Sequence, residues 1–124
     1  MKTLVGIFLA LSLTVGLALA QAQAQAPKTV IHIVNVRWKA DATKEQIKAA
    51  IDAVHLLPSK YPGIKRVWTK KLKYQGQEGM TDALVMEFES EAALTKYADS
   101  PAQMWFYDIY LKVRDESRTH DITN

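Results

Sequence analysis

The 124-residue sequence contains no cysteine. That excludes a disulfide framework, thiolate metal sites, a cysteine nucleophile and a lipid-attachment cysteine, so stability must come from packing. Histidine is scarce as well. His32, His55 and His120 are the only three, scattered without the i, i+4 spacing of a side-chain metal motif. Charge of one sign is also lacking: sixteen basic residues face thirteen acidic ones, a net of +3. So mild a balance argues against a dedicated nucleic-acid binder.

What is present begins with an export signal. Met1-Lys2-Thr3 supplies one positive charge, Leu4 to Leu17 supply none, and Ala18-Leu19-Ala20 gives the small-x-small frame that signal peptidase accepts. This predicts a cleavable signal over residues 1–20, and the repeat of the same frame through Ala26 leaves cleavage as late as residue 26 open. The apolar run is short for a spanning helix, which needs roughly 20 residues, and no basic stop-transfer cluster follows it. The expected product is periplasmic or secreted, with no membrane attachment after cleavage. Removing 20 of the 124 residues leaves 104, and losing Lys2 leaves fifteen basic against thirteen acidic residues, a net of +2. A chain of that size can build one core but sits near the small end, where oligomerisation helps.

Residues 21–28 lack apolar periodicity and read as a flexible lead-in to a domain over residues 29–124. Thr29 to Trp38 is rich in β-branched residues and predicts a strand with Val30, His32, Val34, Val36 and Trp38 on one face. Thr43-Lys44-Glu45-Gln46 fits a capping box, and Ile47, Ala50, Ile51, Val54 and Leu57 recur at helical spacing behind it. The spacing predicts a helix over 44–57 that Pro58 ends. Tyr61-Pro62-Gly63 then turns the chain into a lysine-rich strand over 64–74, a loop follows through Gly79, and a third strand spans 82–89. Ser90 caps a helix from Glu91 to about Asp99. Ser100-Pro101 opens a further helical stretch, and the tail from Val113 to Asn124 is polar and only weakly strand-like. The order is that of an α+β ferredoxin-like split βαβ sandwich, an antiparallel sheet with helices on one face.

Several of these residues carry a resemblance. Val30-Ile31-His32-Ile33-Val34, Tyr61-Pro62-Gly63-Ile64, the block from Ala83 through Leu94, and Tyr97 with Pro101-Ala102 beyond it together resemble the stress-responsive A/B barrel domain family. The resemblance covers roughly residues 29–122 and implies that two chains pair as a dimeric α/β barrel, making a homodimer the expected partner arrangement. A plant cyclase of the family lines its pocket with a first-strand histidine and a tyrosine, which the resemblance carries onto His32 and Tyr97. Its catalytic histidine does not carry over. Where the family pattern reads His-Pro-x-His, this chain has Ser100-Pro101-Ala102-Gln103, and a glutamine amide can orient a substrate but cannot take up a proton near neutral pH. A second pocket tyrosine of that cyclase falls at Val54. Family members usually finish on an apolar strand, whereas the tail here is charged.

The candidate ligand pocket is therefore His32, Trp68, Tyr97 and Gln103, with His32 the one candidate base. Some family members hold magnesium through main-chain carbonyls after the first helix, which the resemblance carries onto Pro58, Tyr61 and Ile64; otherwise no cofactor is expected. Lys65, Arg66, Lys70, Lys71 and Lys73 read as a solvated edge strand. His55 reads as a surface residue. The leading expectation is an exported dimer that binds a small apolar or aromatic molecule, without established catalysis. The alternative is a cofactor-free monooxygenase or cyclase-like enzyme with Asn35, His32, Tyr97 and Trp68 near the reacting atoms.

Overall fold

The computed structural model describes residues 28–73 and 78–123; the expected signal over 1–20, nearly all of the 21–28 lead-in, and most of the loop before Gly79 lie outside the described residues. Among the described residues seven elements follow in order: β1 (Val30–Trp38), α1 (Lys44–Lys60), β2 (Ile64–Lys71), β3 (Asp82–Phe88), α2 (Glu91–Tyr97), α3 (Pro101–Val113) and β4 (Arg114–Ile122). The strands form one antiparallel sheet ordered β2-β3-β1-β4. The fold is the ferredoxin-like sandwich that the order of elements predicts. Among the described residues no helix is long and apolar enough to cross a membrane.

The capping box at α1 is formed. The Gln46 amide donates to the Thr43 hydroxyl at 3.2 Å, and the Thr43 amide donates to the Gln46 side chain at 2.9 Å. Two expectations need correction. Pro58 does not end α1, which runs on to Lys60, because a proline this close to the terminus costs one backbone bond, and the Tyr61 amide still closes onto the Leu57 carbonyl at 2.9 Å. The polar tail is a full nine-residue strand, paired along its length with β1 from Ile31↔Ile122 to Trp38↔Arg114. β2 is an edge strand, as its lysines suggested.

Alternation divides the sheet into two faces. Val30, Val34, Val36, Ile64, Leu84, Met86 and Phe88 turn towards the helices and join Ala53, Val54, Leu57, Ala93, Tyr97, Phe106 and Tyr110 in the core. Gly63 permits a close approach there: a Cβ would stand 2.6 Å from the Tyr61 ring and 3.0 Å from Ala93. Asp82, buried where β1, β2 and β3 meet, accepts from Trp38 Nε1 at 2.8 Å, Thr81 Oγ1 at 2.7 Å and Lys71 Nζ at 2.9 Å. The opposite face carries Ile31, Ile33, Trp68, Val85, Glu87 and Ile122, interleaved with Arg66, Arg118 and Glu116.

Glu87 is the buried acid of that open face. Burial alone would raise its carboxyl, but hydrogen bonds from Arg66 and from Thr29 at 2.9 Å, with the Arg66 charge behind them, outweigh burial and hold it below the usual range. A carboxyl depressed on folding contributes stability that is complete above its unfolded value and is lost as pH falls through the folded one. Stability should therefore decline below about pH 4, the ordinary glutamate range. In urea melts at successive pH values Glu87→Gln should flatten part of that decline. Superimposable profiles for the two proteins would remove Glu87 from the acid response.

Candidate functional site

Between the helix-facing side of the sheet and helices α2 and α3 lies a cavity of about 500 Å³. Its floor comes from β1, β3 and β4, its roof from Leu94 and Tyr97 of α2 and Gln103, Phe106 and Tyr107 of α3, and Tyr110, Leu111 and Arg114 bound one end. Volume and composition suit a small molecule with an apolar body and few polar groups.

His32 lines the cavity because alternation along β1 places it on the same face as Val34. It sits edge-on to Phe88 with ring centroids 5.9 Å apart. Its cross-strand neighbour on β4 is Asp121, and Nδ1 lies 2.6 Å from the carboxylate. A carboxylate only accepts, so Nδ1 carries the proton and Nε2 of the neutral ring is left as an acceptor or base. Asp121 also lines the cavity.

Tyr97 is 3 % exposed, and its hydroxyl has no hydrogen-bond partner within the described residues. Burial, with neighbouring Tyr107, pushes that hydroxyl well above the ordinary phenol range, so it stays a neutral donor. The Tyr110 hydroxyl is also buried; Ser117 approaches it without a well-formed hydrogen bond. Burial raises it too, against smaller opposing effects of Ser117 and the Arg114 charge. Buried polar groups in native proteins are nearly always satisfied. Two hydroxyls of cavity-lining residues without well-formed partners among the described residues mark places where a bound molecule can supply them.

Gln103 lines the cavity, but its side-chain oxygen accepts from the Asp99 backbone amide at 2.7 Å while its own backbone amide donates to Ser100 Oγ at 3.2 Å. It fastens the start of α3, and Asp99 reaches it from a left-handed backbone conformation, φ 62°. Trp68 is elsewhere. The register shift between Ile64 and Arg66 sets Trp68 opposite Val85, on the open face of the sheet, where it is 36 % exposed. Asn35 shares that open face. His55 is exposed and bonds Thr69 at 3.0 Å, and His120 is exposed opposite Ile33. Of the candidate carbonyl ligands, Pro58 lies in the last turn of α1, Tyr61 caps it and Ile64 opens β2; the Tyr61 carbonyl accepts from the Ile64 amide at 3.1 Å. None of the three lines the cavity, and among the described residues no cluster of acidic or histidine side chains could hold a metal ion.

The sequence did not reveal Asp121 or Arg114 as site residues. Arg114 is the C-cap of α3 and the first residue of β4, so it swings its side chain to the end of the cavity opposite His32. Its position is set by a helix running into a strand without a loop, a junction that no local residue pattern announces.

The profile of the stress responsive A/B barrel domain matches residues 30–124. No curated protein sequence matches. Among solved structures, a hydroxynitrile lyase from Passiflora edulis is similar at 22 % identity and TM-score 0.70, over 78 % of this chain and 94 % of that one. A dimeric ferredoxin-like protein from Thermobifida fusca is similar at 20 % identity and TM-score 0.65, over 77 % and 91 %. A Dabb family protein with a ferredoxin-like fold from Mesorhizobium loti is similar at 18 % identity and TM-score 0.66, over 77 % and 96 %.

Proposed function

We propose that this chain, which belongs to the stress-responsive A/B barrel domain family, is an exported homodimer whose protomers each bind a small, largely apolar or aromatic molecule between sheet and helices. The observation that carries the binding reading is the cavity of about 500 Å³ with the Tyr97 and Tyr110 hydroxyls buried in its wall without well-formed protein hydrogen bonds. Apolar walls from Val34, Leu84, Met86 and Phe106 supply affinity, and the hydroxyls supply orientation. Pairing is supported by the apolar residues set among charges of both signs on the open face of the sheet and by the description of the Thermobifida fusca neighbour as dimeric. Export rests on the leading signal.

A neutral naphthylamine dye tests the cavity. Fluorescence titration should give one dye per chain, and Thr119→Trp, which places a bulky ring at an exposed position of the cavity rim, should weaken it at least tenfold, about 1.4 kcal/mol. Equal binding by wild type and variant would put the dye elsewhere and defeat the reading.

The enzyme reading has one observation of its own, the His32–Asp121 pair, which leaves Nε2 as a candidate base on a residue lining the same cavity as Tyr97. The name of the Passiflora edulis neighbour is consistent with it.

A further inference from the structure

We infer that the molecule this cavity takes is a monocarboxylate, gripped by Arg114. The inference rests on the proposed binding function and names the class of ligand for the same cavity. The chain has four arginines. Arg37 pairs with Asp115 and Glu116, Arg66 with Glu87, and Arg118 with Glu78 and Glu116. Arg114 alone has no carboxylate within salt-bridge distance among the described residues, and it alone lines the cavity. Its Nη1 donates to Ser117 Oγ at 3.1 Å, and its guanidinium carbon lies 5.9 Å from the Tyr110 ring centroid. Its Nε–H is buried without a partner among the described residues.

That pattern points to an anion. A guanidinium set into a protein without a counter-charge is costly, and so is a buried donor with no acceptor. One carboxylate answers both, because the Nε–Nη2 edge of arginine presents two parallel donors at the spacing of carboxylate oxygens. Ser117 engages the other side of the guanidinium and holds that edge in place. The Tyr110 hydroxyl beside it offers a further donor.

Charge matching at the Arg114 end selects a carboxylate over a dianionic phosphate. Arg114 is the one permanent cation of the lining, and Asp121, its one carboxylate, is paired with His32 at the other end. A monocarboxylate matches the single guanidinium charge, whereas a dianion would leave a charge uncompensated there. The two charged ends stand far apart: His32 and Trp38, the β1 partners of Asp121 and Arg114, are separated by six residues, or about 20 Å of strand. Between them lie Val34, Leu84, Met86 and Phe106. The ligand therefore carries its carboxylate at the Arg114 end and an apolar body along the sheet.

The probes are 4-phenylbutyrate and its neutral partner 4-phenylbutan-1-ol, titrated by calorimetry into the full mature protein. Wild type should bind the acid at least tenfold more tightly than the alcohol. Arg114→Met should abolish that preference, with circular dichroism matching wild type reporting that the variant is folded; Arg114→Lys should restore part of the preference, since an ammonium keeps the charge and loses the fork. Equal affinity of wild type for acid and alcohol, or an unchanged preference in Arg114→Met, overturns the inference and leaves the binding function standing. Failure of the dye as well as both probes overturns the binding function and the inference with it.

Discussion

Phe88→Ala should lower the stability of the domain by about 3–5 kcal/mol, the cost of emptying a filled aromatic site in a core. Phe88 has no exposed surface, and it is the ring on which three others converge: His32 edge-on at 5.9 Å, Tyr97 at 5.3 Å and Tyr61 at 6.4 Å. Each aromatic contact adds about 0.5–1.5 kcal/mol beyond simple burial. Phe88 also pairs with Val30 on one side and Ile64 on the other, so the cavity left behind would open on a strand flanked on both sides, where backbone hydrogen bonds resist collapse. A domain of this size has about 5–15 kcal/mol in all. The loss should appear as a midpoint shift in urea with little change in slope, and as a thermal midpoint lower by about 4–8 °C for each kcal/mol. Phe88→Leu should lose distinctly less, because a leucine fills most of the space. A cost below about 1 kcal/mol for the alanine variant would mean that the four rings do not pack as a unit. Binding should suffer with stability, since His32 and Tyr97 line the cavity and lean on this ring.

The elements that make this core were plain in the sequence because each presents a regular apolar period. β1 alternates Val30, Val34 and Val36 inward, and α1 carries Ala50, Val54 and Leu57 behind a formed capping box. β4 hides for a physical reason. Its helix-facing residues, Ser117, Thr119 and Asp121, line a cavity and are not packed into core, so the strand lacks the apolar alternation by which strands are recognised. The residues that give the cavity its charge, Arg114 and Asp121, were lost with it. His32 and Tyr97 were legible because they lie on elements whose inward faces were already clear. Trp68 shows the limit of alternation. Period two says that Trp68 and Val67 point oppositely, but only the register shift after Ile64 decides which of them faces the helices.

That same shift gives the open face its character and makes Trp68→Glu the decisive substitution for pairing. In the single chain Trp68 is 36 % exposed beside Arg66, whose guanidinium carbon lies 5.8 Å from its ring, so a glutamate there meets water and a cation and should cost the fold little. In a two-fold pair the position counts twice, because an isologous interface brings the same patch from both partners. A buried tryptophan anchor is commonly worth at least 2 kcal/mol, and a carboxylate in its place is left desolvated. The dimer should therefore weaken by well over a hundredfold, since two substituted anchors at about 2 kcal/mol each approach a thousandfold. The alternating Arg66, Glu87, Glu116 and Arg118 on this face give a second copy opposite charges to meet, which favours self-association over docking on a surface of one sign. Sedimentation across a dilution series should show wild type as twice the single-chain mass at concentrations where Trp68→Glu is monomeric. Circular dichroism of the two should coincide when both are folded, and the wild-type thermal midpoint alone should rise with concentration, as mass action requires. A wild type that is monomeric throughout, or a variant that dimerises as tightly, would leave the open face without the role assigned to it. If the variant is a folded monomer that still binds the naphthylamine dye, each cavity is complete within one chain and pairing serves stability alone.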